Sequence, residues 1–163
     1  MGRALIRDCN GTYQAMRRLS EADILHTAEQ IIQRRFRRLG SIKCPQDVLN
    51  FLHSQLIHRT EEGFGCLFLD GRHQVIAWEV LFTGTVNSCV VHPRVVIKRA
   101  LELNASAVVC AHHHPSGNPQ PSRADETITQ RLRDLLVPLD IQLLDHVVIG
   151  HQESVSLAER GVI

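Results

Sequence analysis

Two histidines, His112 and His114, stand one residue apart where the apolar run Ala105–Ala111 gives way to Pro115-Ser116-Gly117. Side chains of an extended segment alternate faces, so positions i and i+2 project the same way and both imidazoles can reach one ion. His113, between them, should point to the opposite face. Pro115-Ser116-Gly117 turns the chain, Pro119 and Pro121 stiffen its return, and Ser122-Arg123-Ala124-Asp125 opens a helical run. That path brings Asp125 back as a third, oxygen ligand. Two neutral imidazoles and one carboxylate suit zinc, and three protein ligands leave the fourth tetrahedral position open; a closed structural site uses four, usually with thiolates. Zinc in an open site lowers the pKa of water to ~7. The expected chemistry is hydrolysis of an amide-type bond with one zinc per chain. It also needs a carboxylate to take a proton from water and deliver it to the leaving amine, and a donor for the oxyanion. Ser122 is placed to be that donor.

Each piece has a simpler reading. Ser122-x-x-Asp125 is by itself a helix capping box, and a lone His-x-His on a strand is more often incidental than a ligand pair. The joint pattern shifts the balance. Two histidines at i and i+2, Ser122 after seven residues and Asp125 after two more fix four positions in a chain of 163. At ~5% usage each, chance gives about 10⁻⁵ per starting point and about 10⁻³ over this length. Ser122 can cap the helix and also donate. The chain has no His-Glu-x-x-His and no Pro-Cys-x-x-Cys, which disfavours the metalloprotease helix and the zinc deaminases.

The elements that must hold these residues follow from periodicity. Residues 1–19 show little of it and are expected to be partly disordered. Ser20 can cap a helix with apolar positions Ile24, Ala28, Ile31, Ile32, Phe36 and Leu39 and Gly40 as its stop. Pro45 suits the first turn of a second helix bearing Val48, Phe51, Leu52 and Leu56. Together they define a helical segment over 1–60, ahead of a strand-rich domain over 61–163. There, Phe64–Leu69 and Val75–Phe82 flank Asp70-Gly71, a tight-turn dipeptide. Gly84-Thr85 breaks the chain, Ser88–Val91 is a short β-branched run, and Pro93 opens a helix through Leu103 that Asn104 can end. Ala105–Ala111 reads as a buried strand, 122–136 as a helix and Ile141–Ile149 as one or two strands. The fold class is α/β, a mixed sheet flanked by helices.

Composition bounds the remaining possibilities. An apolar fraction of 44% allows a real core, and a net charge of +1 gives no support to a strong attraction for nucleic acid or acidic membrane. Five scattered cysteines (Cys9, Cys44, Cys66, Cys89, Cys110) form no Cys-x-x-Cys pair and read as free thiols in a reducing compartment. No leader-like start and no apolar stretch near ~20 residues occurs. The expectation is a soluble, cytoplasmic protein without membrane contact.

The His-x-His, Ser, Asp string is similar to the signature of the JAMM (JAB/MPN) metalloproteases. The stretch from Glu79 to Thr129, EVLFTGTVNSCVVHPRVVIKRALELNASAVVCAHHHPSGNPQPSRADETIT, with the later LLDHVVIG, resembles the bacterial RadC family over roughly residues 60–163. The resemblance implies the JAMM/MPN α/β fold, layered like cytidine deaminase, with zinc at the end of a central strand. It also implies an upstream glutamate as acid/base, and the position matching it is Glu79 in Ala77–Gly84; from the residues alone, a strand-edge charge facing water is the favoured reading of Glu79. Two departures stand out. His113 replaces the usual Asn, and Val95 replaces the usual acid after His92-Pro93-Arg94, in the first turn of its helix, where the loss should be a few tenths of a kcal/mol. No Gly-x-Gly hairpin loop of a helix-hairpin-helix module occurs in 1–60, so DNA binding does not come with the resemblance.

The leading expectation is a zinc-dependent hydrolase of a peptide or isopeptide bond, acting on a protein or peptide, with His112, His114 and Asp125 as ligands and Glu79 and Ser122 as catalytic residues. The alternative is a non-catalytic metal-binding docking module linked to DNA repair or mobile elements. Arg34, Arg35, Arg37 and Arg38 read as a solvated helix face, with nucleic-acid contact as the minority reading. His146 reads as a hydrogen-bonded partner of Asp145, or as a support for the metal site. His92 could cap its helix or line the site. His26, His53, His58, His73 and His151 are surface or helix-face residues.

Overall fold

The computed structural model describes residues 5–7, 12–38, 45–84 and 90–163. The chain divides into two compact units, Met1–Arg38 and Leu39–Ile163. In the first, strands β1 (Leu5–Arg7) and β2 (Tyr13–Ala15) pair antiparallel, in a stretch whose sequence shows little periodicity. Three-residue strands are too short to leave an alternation. Helix α1 (Glu21–Arg38) starts where Ser20 predicts: Ser20 Oγ accepts from the Asp23 amide at 3.2 Å and Asp23 Oδ2 from the Ser20 amide at 2.9 Å. The side chains of Ile32, Phe36 and the four arginines, and Leu39 with the Gly40 stop, lie outside the described residues, as do Cys9, Cys44, Cys89 and the Ser88-Cys89 half of the Ser88–Val91 run.

The second unit begins with helix α2 (Pro45–Leu56), then β3 (Gly63–Leu69), β4 (Val75–Thr83), α3 (Pro93–Glu102), β5 (Ala107–His113), α4 (Arg123–Leu136), β6 (Gln142–Ile149) and β7 (Ser154–Ser156). The sequence groups α2 with an N-terminal segment over 1–60. Of that segment, α2 lies in the unit that begins at Leu39 and packs on β5 and β6 with Val48, Phe51, Leu52 and Leu56 all buried.

The sheet runs β4-β3-β5-β6-β7, with β5 and β6 parallel and every other pair antiparallel. Helix α4 is the crossover that a parallel pair requires. Strands β3 and β5 are buried along their whole length, which suits a centre covered on both faces. On one face Phe64, Cys66, Phe68, Val108 and Cys110 meet Val96 and Ala100 of α3 and Leu132 and Leu136 of α4. The other face receives α2, whose Phe51 packs edge-on against Trp78 at 5.9 Å. Each large apolar side chain so buried contributes ~1.5–3 kcal/mol.

The β3–β4 connection differs from a two-residue turn. His73 N donates to Asp70 O, Asp70 N donates to Gln74 O, and the left-handed residue is His73 (φ 55°), not Gly71. Asp70 Oδ1 accepts from the Arg72 and Gln74 amides, both at 2.8 Å, and this side-chain clamp selects a three-residue loop. Asn104 ends α3 in the left-handed region (φ 49°), as its residue type predicts. Cys66 and Cys110 face each other across β3–β5 as buried free thiols, Sγ to Sγ 3.8 Å, and burial pushes the Cys66 thiol well up. Among the described residues no helix is long and apolar enough to cross a membrane.

Candidate metal centre

Strand β5 ends by delivering His112 and His113, and His114 follows it. His114 N donates to Ile149 O, and Gly117 N donates back to His114 O at 2.9 Å. Gly117 takes φ 79°, and a Cβ there would lie 2.4 Å from His151 Nδ1, so this turn needs glycine. Beyond the bend Ser122 caps α4, and both halves of the predicted box are present: Ser122 Oγ accepts from the Asp125 amide at 3.2 Å and Asp125 Oδ2 from the Ser122 amide at 2.7 Å.

The capping box leaves Asp125 Oδ1 facing His112. It lies 3.2 Å from His112 Nε2, and the two Nε2 atoms are 3.0 Å apart. One ligand atom from each of His112, His114 and Asp125 falls within a 4.8 Å span. The far sides of both rings are engaged. His114 Nδ1 donates to Asn118 O at 2.8 Å, and His112 Nδ1 lies 2.8 Å from His146 Nε2. Burial is the largest influence on Asp125 and raises its pKa, but its contacts with His112, His114 and Ser122 prevail and hold it well below the usual carboxylate range. The Asp125 contact in turn raises His114. Metal ligands of this kind must shed their protons to bind, and the donor set fits a divalent ion that accepts nitrogen and oxygen.

The other predicted residues fall in different places. Ser122 adjoins the cluster, its hydroxyl donating to Asp125 Oδ2 at 2.6 Å. Glu79 does not join it. Glu79 sits opposite Cys66 on β4 and takes Arg99 in a two-point pair, Nε to Oε2 at 2.7 Å and Nη2 to Oε1 at 2.6 Å; Arg99 is what lowers its pKa. The carboxyl beside the cluster belongs to Glu62, just ahead of β3. Burial raises its pKa, while His112 and His114 act to lower it and Asp125 adds to the rise. The register explains the placement: β3 runs antiparallel to β5 with Phe64 opposite His112, so the residues before β3 meet the end of β5. The Phe64 ring stacks on His112 at 6.2 Å.

His113 turns away, as strand alternation predicts. Its Nδ1 accepts from the Gly63 amide at 3.3 Å and its Nε2 donates to Arg59 O at 3.0 Å, so it ties the segment that carries Glu62. Burial lowers its pKa. His92 is the N-cap residue of α3 but its side chain makes no capping bond; the ring packs against Phe82 at 6.1 Å. Asp145 does not pair with the His146 ring. Its Oδ1 accepts from the backbone amides of His146 and Ala158, while the His146 ring is fully buried on the opposite face, where desolvation pushes its pKa well down.

This fold and this cluster define a JAB-type domain, and comparison with known proteins bears that out: residues 42–162 match the family described as the RadC-like JAB domain. A UPF0758 protein of Ectopseudomonas mendocina is 47% identical over 138 residues, covering 85% of this chain and 62% of its own length. One of Coxiella burnetii is 47% identical over 137 residues, covering 81% and 61%. One of Nitrosococcus oceani is 53% identical over 119 residues, covering 73% and 53%. The chain therefore belongs to the RadC-like JAB domain family and has the JAB/MPN fold, and it spans about three fifths of the length of the curated relatives it matches.

Proposed function

We propose that this domain is a zinc-dependent hydrolase of the JAMM type that cleaves a peptide or isopeptide bond. The observation that carries the reading is the convergence of His112 Nε2, His114 Nε2 and the Asp125 carboxylate, with both Nδ1 atoms already engaged behind the rings. These three residues would hold one zinc ion. Zinc bound there supplies a Lewis acid that acidifies water and polarises a carbonyl oxygen.

The chain supplies the proton transfers. Glu62, partly buried with a raised pKa, takes the acid/base role in place of Glu79: its carboxylate accepts a proton from water and returns it to the leaving nitrogen. Glu79 is unsuited to that role because Arg99 occupies both of its oxygens. Ser122 Oγ is the oxyanion donor; to act, its hydrogen must leave Asp125 Oδ2 for the substrate oxygen. The substrate is a protein or peptide.

Metal analysis by mass spectrometry and turnover on peptide and isopeptide-linked libraries test this, with wild type beside Glu62→Gln. One zinc per chain in both and a turnover loss of ~10²–10⁴-fold in the variant are expected. Near-zero zinc in folded wild type sinks the reading. Full zinc with no turnover, and an undiminished cellular effect of Glu62→Gln, favours a docking module instead.

A further inference from the structure

His146 has no part in the proton transfers above, yet its ring is fully buried and bonded at both nitrogens. On one side it meets Thr129 Oγ1, and on the other His112 Nδ1 at 2.8 Å. Thr129 lies one helical turn after Asp125, and its hydroxyl donates to the Asp125 carbonyl.

Counting hydrogens orients the whole chain. Thr129 has one hydroxyl hydrogen, and Asp125 O receives it, so toward His146 the hydroxyl can only accept. His146 Nδ1 must then carry the hydrogen. A ring so buried, with no carboxylate among its hydrogen-bond partners, is neutral, so its Nε2 is bare and accepts from His112 Nδ1–H. His112 is left with its Nε2 lone pair directed at His114 Nε2 and Asp125 Oδ1. The path starts on the backbone of one ligand and ends on the ring of another.

We infer that Thr129 and His146 are positioning residues that set the tautomer and ring angle of His112, so that its Nε2 faces the ligand cluster as a bare acceptor. The inference rests on the metal-site reading above. It extends that reading into the core: β6 and α4 select which nitrogen of a β5 histidine can bind an ion. Losing such a support weakens metal binding by ~10–100-fold.

Nitrogen-15 imidazole NMR on the metal-free protein at pH 8 reads the tautomer directly, and zinc competition against a chelator reads the affinity. Wild type should carry hydrogen on His112 Nδ1. Thr129→Val, close in shape, removes the acceptor for His146 Nδ1; His146 can then donate from Nε2 and drive hydrogen onto His112 Nε2. It should shift the His112 tautomer and bind zinc ~10–100-fold more weakly. Thr129→Ser should behave as wild type. So should His146→Gln, whose amide oxygen can accept from His112 while its nitrogen donates to Thr129. A bare Nδ1 on wild-type His112 overturns the inference whatever the variants do. So does a folded Thr129→Val with unchanged tautomer and affinity. If wild type binds no zinc, the hydrolase reading fails while the tautomer result still decides this one.

Discussion

The sharpest division of roles lies between two glutamates, and Glu79→Gln probes it. Glu79 holds Arg99 by two contacts of 2.6 and 2.7 Å, but the side chains keep 30% and 35% of their exposure, so solvent screens the pair. A screened pair of good geometry is worth ~1 kcal/mol, not the several of a buried one. Arg99 also retains Glu102 at 3.0 Å, so the variant leaves no orphaned charge. Glu79→Gln should therefore lower stability by ~1 kcal/mol, a fall in Tm of about 2–4 °C. A double-mutant cycle with Arg99→Met should return a coupling of about 0.5–1 kcal/mol.

Thermal melts, zinc competition and turnover measured on the same preparations separate the alternatives. Glu79→Gln is expected to keep zinc affinity within twofold and turnover within a few-fold. Glu62→Gln should do the opposite for turnover, dropping it by ~10²–10⁴-fold. A Glu79→Gln protein with undiminished stability and turnover reduced a hundredfold refutes the assignment, since Arg99 would then be orienting a catalytic carboxylate.

Four further outcomes follow from local geometry. Val95→Glu places an acid in the first turn of α3, which has none, at an exposed position; stability should rise by ~0.5 kcal/mol in a denaturant titration, and less at high salt. Gly117→Ala forces a side chain onto φ 79° and into His151, and should cost ~1–3 kcal/mol while weakening zinc binding through the displaced His114 turn. Asp70 is held below its ordinary pKa chiefly by the Gln74 amide, then by Arg72, so its contribution is present above pH ~4 and lost as pH falls through the folded value; the stability curve of Asp70→Asn should be flatter on the acid side. Ser122→Ala should cost ~1 kcal/mol in stability as a lost cap, yet keep zinc affinity within a few-fold, because the Ser122 amide still holds Asp125 Oδ2.

The elements that periodicity or continuous apolarity marks (α1, α2, α4, β3, β5) stand where the residues predict them, and the ligand cluster follows because its spacing is local: strand, bend, capped helix. What depends on distant pairing was not readable. Glu62 sits among Arg59, Thr60 and Glu61, a polar run indistinguishable from a solvated turn until β3 is set antiparallel to β5 with Phe64 opposite His112. Glu79 drew notice through the family pattern and its apolar neighbours, but β4 is an edge strand and half-open, and its partner Arg99 lies on a different element. The fate of His146 was partly accessible. Adjacent strand residues face opposite ways, so alternation alone argues against a ring-to-carboxylate pair with Asp145.

Capping and ligation were rival accounts of Ser122-x-x-Asp125, and the geometry is compatible with both. A carboxylate has two oxygens; the cap takes Oδ2, and in doing so it fixes the plane that presents Oδ1 to His112, with His114 Nε2 3.7 Å from Oδ2. One helical turn later Thr129 donates to the carbonyl of the same Asp125 and receives His146, which in turn receives His112. The first two turns of α4 therefore orient an oxygen ligand through its side chain and a nitrogen ligand through its backbone. Shifting α4 by one residue along its axis, about 1.5 Å, would disturb both ligands at once. A helix start that is ordinary by stability criteria thus helps to preorganise the candidate three-residue centre, together with His146 of β6 and the Asn118 carbonyl behind the rings.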